Sequence, residues 1–185
     1  MVKLWLLSFL LAVAVPWQGC GDTSLVLTPT PIPAATMTPT PVPLPHLPEM
    51  EVARVQFDEG GTSAVVLLRE IGTNRFLPIG ISGAEALAIA VKLTDEDLRR
   101  PLTHDLLDMM ITDLGGNLAH VVITHLLANT FYAKIVLTKD GELFEVDSRP
   151  SDAIALALRA SIPIFADTKV LNRAGVMLDI SNNGR

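Results

Sequence analysis

Very short connections between segments with the alternating pattern of β-strands limit the folds open to this chain. The connections consist of two or three residues with turn preference: Gly72-Thr73-Asn74, Ala128-Asn129 and Lys139-Asp140-Gly141. Connections of this length join antiparallel strands, whereas parallel strands need a crossover of about a dozen residues or more. The sequence therefore predicts β-hairpins rather than a doubly wound parallel sheet.

Strand-like and helix-like segments are interspersed along the chain. The predicted strands are 51–57, 63–71, 75–81, 117–127, 130–138, 142–148 and 162–165. The predicted helices are 84–92, 103–114, 150–159 and 168–175, in which apolar residues recur every three or four positions. This order predicts an α+β fold: a single compact domain with a mostly antiparallel or mixed sheet and packed helices.

Two of the helix starts carry polar residues that suit capping positions. Ser82 followed by Glu85 fits a capping box, and Thr103 is a suitable N-cap. In the helix that follows Thr103, positions 106, 107, 110, 111 and 114 are apolar. We therefore expect one face of that helix to be apolar.

The N-terminus has the pattern of a targeting sequence. Residues 4–15 are apolar and would span roughly 18 Å as a helix, less than the ~30 Å hydrocarbon core of a membrane. This length is typical of a signal peptide, and Gly19-Cys20 resembles the end of a bacterial lipoprotein signal. We expect residues 1–20 to be that signal, with lipidation of Cys20. An uncleaved anchor and a plain secretory signal are the alternatives.

Prolines recur every second or third residue through much of 21–48, which predicts an extended spacer without helix or sheet. The folded domain is then 49–185. Lys3 and Asp22 are the only charged residues before Glu49, so the net charge of −6 belongs to this domain. An acidic domain is a poor general binder of phosphate backbones, but it can still bind a phosphate at one local basic site.

Four blocks of the domain resemble the bifunctional nuclease domain family. They are LPIGISGAEALAIA (77–90), RPLTHDLL (100–107), TFYAKIVL (130–137) and VDSRPSDAIALAL (146–158). The resemblance implies a compact α+β domain that cleaves DNA and RNA, and it implies dimers. The family usually has an aromatic, an isoleucine and a glycine where this chain has Gly80, Ile81 and Ser82, so the exit of that strand is less bulky here.

The segment 147–152 concentrates polar residues where a predicted strand passes into a helix. Asp147 and Asp152 are expected to lie close together, and two carboxylates can hold Mg²⁺ or Mn²⁺. Arg149 and Ser151 are expected to bind a phosphate at the start of the helix. Capping by the serines and simple pairing of Arg149 with Asp152 explain part of the pattern equally well.

The RPLTHDLL block supplies further candidates. His104 is a possible general base or metal ligand, and Asp105 lies beside it in the first turn of the helix. Glu85 is a weaker candidate, because capping accounts for it. His120 and His125 are five residues apart in one predicted strand, so we expect them on opposite faces and outside a common site.

Two hypotheses follow. The first is a metal-assisted nuclease that acts on DNA and RNA without sequence choice, exported and tethered to a membrane. Its catalytic residues would be His104, Asp105, Asp147, Arg149 and Asp152. The second is a non-catalytic, oligomeric binding or assembly module at the cell envelope, in which these polar residues are structural.

Overall fold

The computed structural model describes residues 47–96 and 99–178, all of which lie in one compact unit. The expected signal sequence, Cys20 and almost all of the spacer lie outside the described residues. The first strand begins at Glu49, next to the predicted boundary of the domain. Within the described part of the chain, no helix has the length and hydrophobicity needed to cross a membrane.

The described residues form eight strands and four helices. The strands are β1 (Glu49–Phe57), β2 (Ser63–Glu70), β3 (Arg75–Ser82), β4 (Gly116–Leu127), β5 (Thr130–Lys139), β6 (Glu142–Ser148), β7 (Ile164–Ala166) and β8 (Val176–Met177). The helices are α1 (Gly83–Leu93), α2 (Thr103–Asp113), α3 (Pro150–Ala160) and α4 (Thr168–Ala174).

All eight strands belong to one mixed sheet with the order β6-β5-β4-β7-β1-β2-β3-β8. The pair β4–β7 is parallel, and the other described pairs are antiparallel. The hairpins expected from the three tight turns are present as β2–β3, β4–β5 and β5–β6. The predicted α+β fold with a mixed sheet is therefore confirmed.

One face of the sheet packs against α1 and α3 and forms the core. The sheet contributes alternate fully buried residues, and the helices contribute their apolar faces: Val66, Leu68, Ile79, Val121, Ile123 and Ala133 from strands, and Ile89, Ile154 and Leu156 from helices. We call the opposite face of the sheet the outer face. Paired residues of neighbouring strands share a face, so the register assigns each side chain to the core or to the outer face.

The helix starts are only partly those expected. Pro150 occupies the first position of α3, where its missing N–H costs nothing. Ser82 is the N-cap of α1 but makes no side-chain capping hydrogen bond within the described residues, so the predicted capping box is wrong. The N-cap of α2 is Leu102, whose backbone is extended, rather than Thr103, which is already helical. The Asp105 carboxylate accepts a hydrogen bond from the Leu102 N–H at 2.7 Å.

The two strand histidines do not lie on opposite faces, so that part of the expectation is wrong. The register of β4 shifts between Ile123 and His125, where Thr124 forms a bulge. The extra residue reverses the alternation, so His120 and His125 both lie on the outer face, opposite Val136 and Tyr132. Their rings make separate contacts, His120 with Phe165 at 5.7 Å and His125 with Tyr132 at 4.3 Å between centroids.

Helix α2 forms as expected, but its apolar side chains are not covered. Five of them are between 40% and 68% exposed: Leu106, Leu107, Met109, Met110 and the C-cap residue Leu114. Of the apolar residues predicted to share a face, Ile111 is the one that packs against the core. An uncovered surface of this kind on a helix is a common mark of a protein interface.

Candidate functional site

The first turns of three helices meet at one place. Glu85 is the third residue of α1, His104 the second of α2 and Asp152 the third of α3. Together with Arg149, the N-cap residue of α3, they make direct side-chain contacts. We call these four residues the helix-start cluster. The N–H groups of a helix start carry partial positive charge, so the convergence favours negative groups, including a phosphate.

Arg149 is the centre of the helix-start cluster. Its Nε and Nη2 donate to the two carboxylate oxygens of Asp152 at 2.7 and 3.1 Å. Its Nη1 lies 2.9 Å from Oε1 of Glu85. A guanidinium has five N–H groups, so one N–H on each terminal nitrogen stays available. The side chain is 65% exposed, and it therefore presents these two donors to solvent.

His104 holds Asp152 from the other side. Its Nε2 lies 3.2 Å from Oδ1 of Asp152, and the histidine side chain is only 12% exposed. Its Nδ1 is buried and has no partner in the described structure, as is the case for Oε2 of Glu85 and Oγ of Ser148. A buried polar atom without a partner is uncommon, and at a cavity it is a candidate for contact with a ligand.

The charges of the cluster reinforce one another. Burial by itself raises the pKa of Asp152, but the hydrogen bonds from Arg149 and His104, with their charges, outweigh it and lower the pKa of Asp152. The hydrogen bond and charge of Asp152, followed by those of Glu85, raise the pKa of Arg149 further above its usual range. The pair is therefore ionised over the whole range in which the protein is expected to work.

The lowered pKa of Asp152 makes the stability of the fold depend on pH in the acidic range. The folded-state pKa of Asp152 lies below its unfolded value, so its stabilisation is complete above the unfolded pKa and is lost as the pH falls through the folded one. We expect Asp152→Asn to be less stable than the unchanged protein at pH 7. The difference should shrink as the pH falls below about 4. Urea midpoints between pH 7 and pH 2 measure it, and a constant difference would contradict this prediction.

Asp105 does not face Asp152 but pairs with a buried arginine. Nε of Arg159 donates to Oδ1 of Asp105 at 2.5 Å, and only 4% of the arginine side chain is exposed. The two terminal nitrogens of Arg159 donate to the carbonyls of Ala155 and Ala88. Arg159 thus connects α1, α2 and α3, and its contacts hold the three helices against one another.

Asp147 lies apart from the helix-start cluster. It pairs with Lys134 in the register of β5 and β6, while its neighbour Ser148 pairs with Ala133 of the core. Asp147 is therefore on the outer face of the sheet, and Asp152 is on the helix side. The expected closeness of the two carboxylates is not found, because strand alternation turns Asp147 away although only five positions separate them in the sequence.

A cavity of about 390 Å³ opens beside the cluster. Glu85, Arg149 and Pro150 form one wall, and the other walls come from the end of β3 and from the turn between β4 and β5. Ser151 also lines the cavity, but only 5% of it is exposed. The cluster is therefore accessible from solvent, mainly through Arg149.

Glu85 and Arg159 contribute more to the site than their sequence context indicates. A capping box is a sufficient explanation of Glu85 in the sequence, and its partner Arg149 is 64 positions away in the chain. Arg159 lies seven residues after Asp152, two helical turns along the same face. That spacing was a signal in the sequence that Arg159 shares the site side of α3.

The residues present do not form a ready-made metal site. Within residues 47–96 and 99–178, no three histidine, cysteine or acidic side chains are arranged so that they could hold a metal ion. Both oxygens of Asp152 already accept hydrogen bonds from the guanidinium of Arg149, which leaves Oε2 of Glu85 as the free carboxylate oxygen of the cluster. An ion bound here would take most of its ligands from water and from a substrate phosphate, as Mg²⁺ often does.

The amino-acid sequence is similar to a known domain family and to other proteins. Residues 66–179 match the family model of the bifunctional nuclease domain. An uncharacterised protein of Mycobacterium tuberculosis is 38% identical over 130 residues, which cover 70% of this chain and 77% of that protein. The family model and the mycobacterial protein each match most of the folded domain.

Plant proteins are similar over a shorter part of their length. Bifunctional nuclease 1 of Arabidopsis thaliana is 32% identical over 104 residues, which cover 55% of this chain and 32% of the plant protein. Bifunctional nuclease 1 of Oryza sativa subsp. japonica is 27% identical over 122 residues, which cover 64% of this chain and 37% of the rice protein. The resemblance found in the sequence is confirmed by these matches, and the chain belongs to the bifunctional nuclease domain family.

Proposed function

We propose that this protein is a nuclease that hydrolyses phosphodiester bonds of DNA and RNA without sequence choice, and that the helix-start cluster is its active site. The observation that carries the proposal is the exposed guanidinium of Arg149, held by two carboxylates at the meeting point of three helix starts. The names of the plant relatives support the same activity.

The phosphate of the substrate is bound by Arg149. Its two remaining N–H groups form a charge-assisted fork for two phosphate oxygens, which also stabilises the charge that develops when water attacks the phosphorus. The protein carries a net charge of −6, so binding depends on this local site rather than on a general basic surface.

The remaining residues of the cluster have different tasks. Oε2 of Glu85 is the free carboxylate oxygen, and we assign to it the acceptance of the proton from the attacking water. Asp152 positions Arg149 through its hydrogen bond with the guanidinium. His104 in turn holds the Asp152 carboxylate in place. Asp105 acts through Arg159 on the position of α2. Asp147, on the outer face, has no part in this arrangement.

Mg²⁺ or Mn²⁺ remains part of the proposal as the ion that the reaction requires. Purified protein should degrade both plasmid DNA and RNA in the presence of either ion, and EDTA should stop the degradation. Glu85→Gln keeps the size of the side chain and should lose at least about a hundredfold in rate, as expected for a missing general base. If folded protein leaves both substrates intact with either ion, the nuclease proposal is wrong.

The uncovered apolar side chains of α2 favour a second function, assembly with another protein chain. We propose a homodimer that buries Leu106 and Met110, which are 49% and 52% exposed in the single chain. Light scattering after size exclusion should give twice the chain mass, and the double variant Leu106→Glu, Met110→Glu should give the monomer mass. A monomer at all concentrations would contradict this. A dimer without nuclease activity would support the non-catalytic assembly module.

The location of the protein is also a proposal. We infer that Cys20 is lipidated and that the spacer 21–48 holds the domain away from the membrane, outside the cytoplasm. In bacterial cells grown with a labelled fatty acid, the protein should carry the label in the membrane fraction. Cys20→Ser should abolish the label, and equal labelling of that variant would contradict the lipid anchor.

A further inference from the structure

The turn between β4 and β5 has side chains at positions where the backbone favours glycine. Ala128 and Asn129 lie between the paired residues Leu127 and Thr130, and their φ angles are both positive, 46° and 61°. A two-residue hairpin turn with positive φ at both positions is a type I′ turn, which usually has glycine at the second position. Asparagine tolerates positive φ better than most residues, but glycine adopts it without steric cost. A glycine at position 129 would therefore relieve strain.

The hairpin between β5 and β6 has the same geometry with the usual residues. Asp140 and Gly141 lie between the paired residues Lys139 and Glu142, and their φ angles are 53° and 82°. The second position is thus glycine in this turn and asparagine in the other. Of the two turns, the one with asparagine lines the cavity beside the helix-start cluster. Backbone strain that is kept at a site, and avoided in an equivalent turn elsewhere, favours a function for the side chain.

The amide of Asn129 is accessible to a ligand in that cavity. Asn129 is exposed and lines the cavity of about 390 Å³ that also contains Arg149 and Glu85. Thr124 and Arg173 make side-chain hydrogen bonds near this turn, but none within residues 47–96 and 99–178 involves the amide of Asn129. An amide donates and accepts hydrogen bonds without carrying a charge. The cavity therefore has a cation on one wall and a neutral hydrogen-bonding group on another.

We propose that Asn129 is a substrate-binding residue that hydrogen-bonds the sugar–phosphate backbone next to the scissile phosphate, an inference that rests on the proposed nuclease function. Asparagine is among the residues that bind phosphate and sugar oxygens in nucleic-acid complexes, and such contacts position a strand without reading its sequence. This agrees with cleavage without sequence choice. Arg149 alone would leave the strand free to pivot about the bound phosphate, and a second contact in the same cavity removes that freedom.

Asn129→Gly removes the amide and suits the backbone of the turn. Since glycine accepts a φ of 61°, the melting temperature should stay the same or rise. The loss of one hydrogen bond should weaken binding of a phosphorothioate oligothymidylate to the full chain by about threefold to thirtyfold, measured by fluorescence anisotropy. In cleavage of DNA and RNA, KM should rise by a similar factor while kcat changes less, because the contact exists before and during the reaction. A purely structural role would lower the melting temperature and leave KM unchanged.

Two control variants relax a turn in the same way but keep the amide of Asn129. Asp140→Gly makes the equivalent change in the turn between β5 and β6. Ala128→Gly relaxes the turn between β4 and β5 itself, at a residue that does not line the cavity. Both variants should bind and cleave like the unchanged protein. If Ala128→Gly weakens binding as much as Asn129→Gly, flexibility of the turn is the cause and the contact is wrong.

Asn129→Asp is the second test, which replaces Asn129→Gly if that variant folds poorly. Aspartate keeps the size of the side chain and tolerates positive φ, but it cannot donate a hydrogen bond and it repels phosphate. Binding should weaken more than in Asn129→Gly, and the additional loss should shrink as the salt concentration rises.

The cleavage assay distinguishes this inference from the proposed function. If the unchanged protein cleaves nucleic acid, and both variants of Asn129 bind and cleave as it does, the contact at Asn129 is wrong and the nuclease proposal stands. If the unchanged protein binds the oligonucleotide but cleaves neither DNA nor RNA, the proposed function is wrong and this inference falls with it.

Discussion

Replacing Arg149 with methionine should lower the rate of DNA and RNA cleavage by about a hundredfold to a thousandfold, the usual effect of removing one charge-stabilising donor. Methionine keeps much of the length of the side chain but loses the fork that we assign to the phosphate. Affinity for single strands should also fall, and its dependence on salt should decrease by about one phosphate contact. Initial rates on labelled oligonucleotides and binding between about 50 and 200 mM salt measure both effects.

Two controls make this result specific to the site. Lys134→Met removes another half-exposed cation that pairs with a carboxylate, Glu145, but on the outer face, and it should cleave normally. Arg149→Lys keeps the charge without the fork, so an intermediate rate is expected. The carboxylates that Arg149 holds are only 17% and 29% exposed, so Arg149→Met should also lower the melting temperature, and its rates are measured at a temperature at which the variant is folded. A rate within threefold of the unchanged protein, roughly 0.7 kcal/mol, would contradict the assignment.

Arg159→Met should be the most destabilising of the substitutions considered, by about 1.5–3 kcal/mol in the free energy of unfolding, the usual effect of losing hydrogen bonds that involve a charged group. The guanidinium is almost fully buried, and its loss removes the donor to Oδ1 of Asp105 and the additional hydrogen bonds to the carbonyls of Ala88 and Ala155. For a domain of this size the melting temperature should fall by about 5–10 °C. Urea unfolding at pH 7 gives the free energy directly.

The control variant for Arg159→Met is Arg173→Met. Arg173 also donates to a carbonyl, that of Leu126, but from an exposed position, so its loss should cost less than about 1 kcal/mol. In the double variant Asp105→Asn, Arg159→Met, the second substitution should cost less than it does alone, because the unpaired carboxylate is gone. Equal costs for Arg159→Met and Arg173→Met would show that the buried pair does not hold the helices together.

Local patterns in the sequence predicted the elements of the fold well. The turns at 72–74, 128–129 and 139–141 give hairpins because a connection of two or three residues can only join adjacent antiparallel strands. The position of β7 between β4 and β1 was not predictable in this way. Its three residues pair with strands that are far away in sequence, and no turn links them.

The sequence predicted the contacts of the site that lie within one helix, but not those that join different helices. Arg149 and Asp152 are three positions apart at a helix start, so their contact follows from helix geometry. The contacts of Arg149 with Glu85 and of His104 with Asp152 join different helices, and only the packing of α1 and α2 on α3 brings these side chains together. The bulge at Thr124 is a third case, since one extra residue in β4 moved His125 to the face of His120.

A crystal structure of the protein with a phosphorothioate dinucleotide tests the central claim most directly. If the helix-start cluster is the active site, a phosphate oxygen should lie about 3 Å from each terminal nitrogen of Arg149. Oε2 of Glu85 should face the phosphorus from the cavity side. A dinucleotide bound only elsewhere, for example at Lys134 on the outer face or beside Lys92 and Arg100, with no phosphate at Arg149, would contradict it.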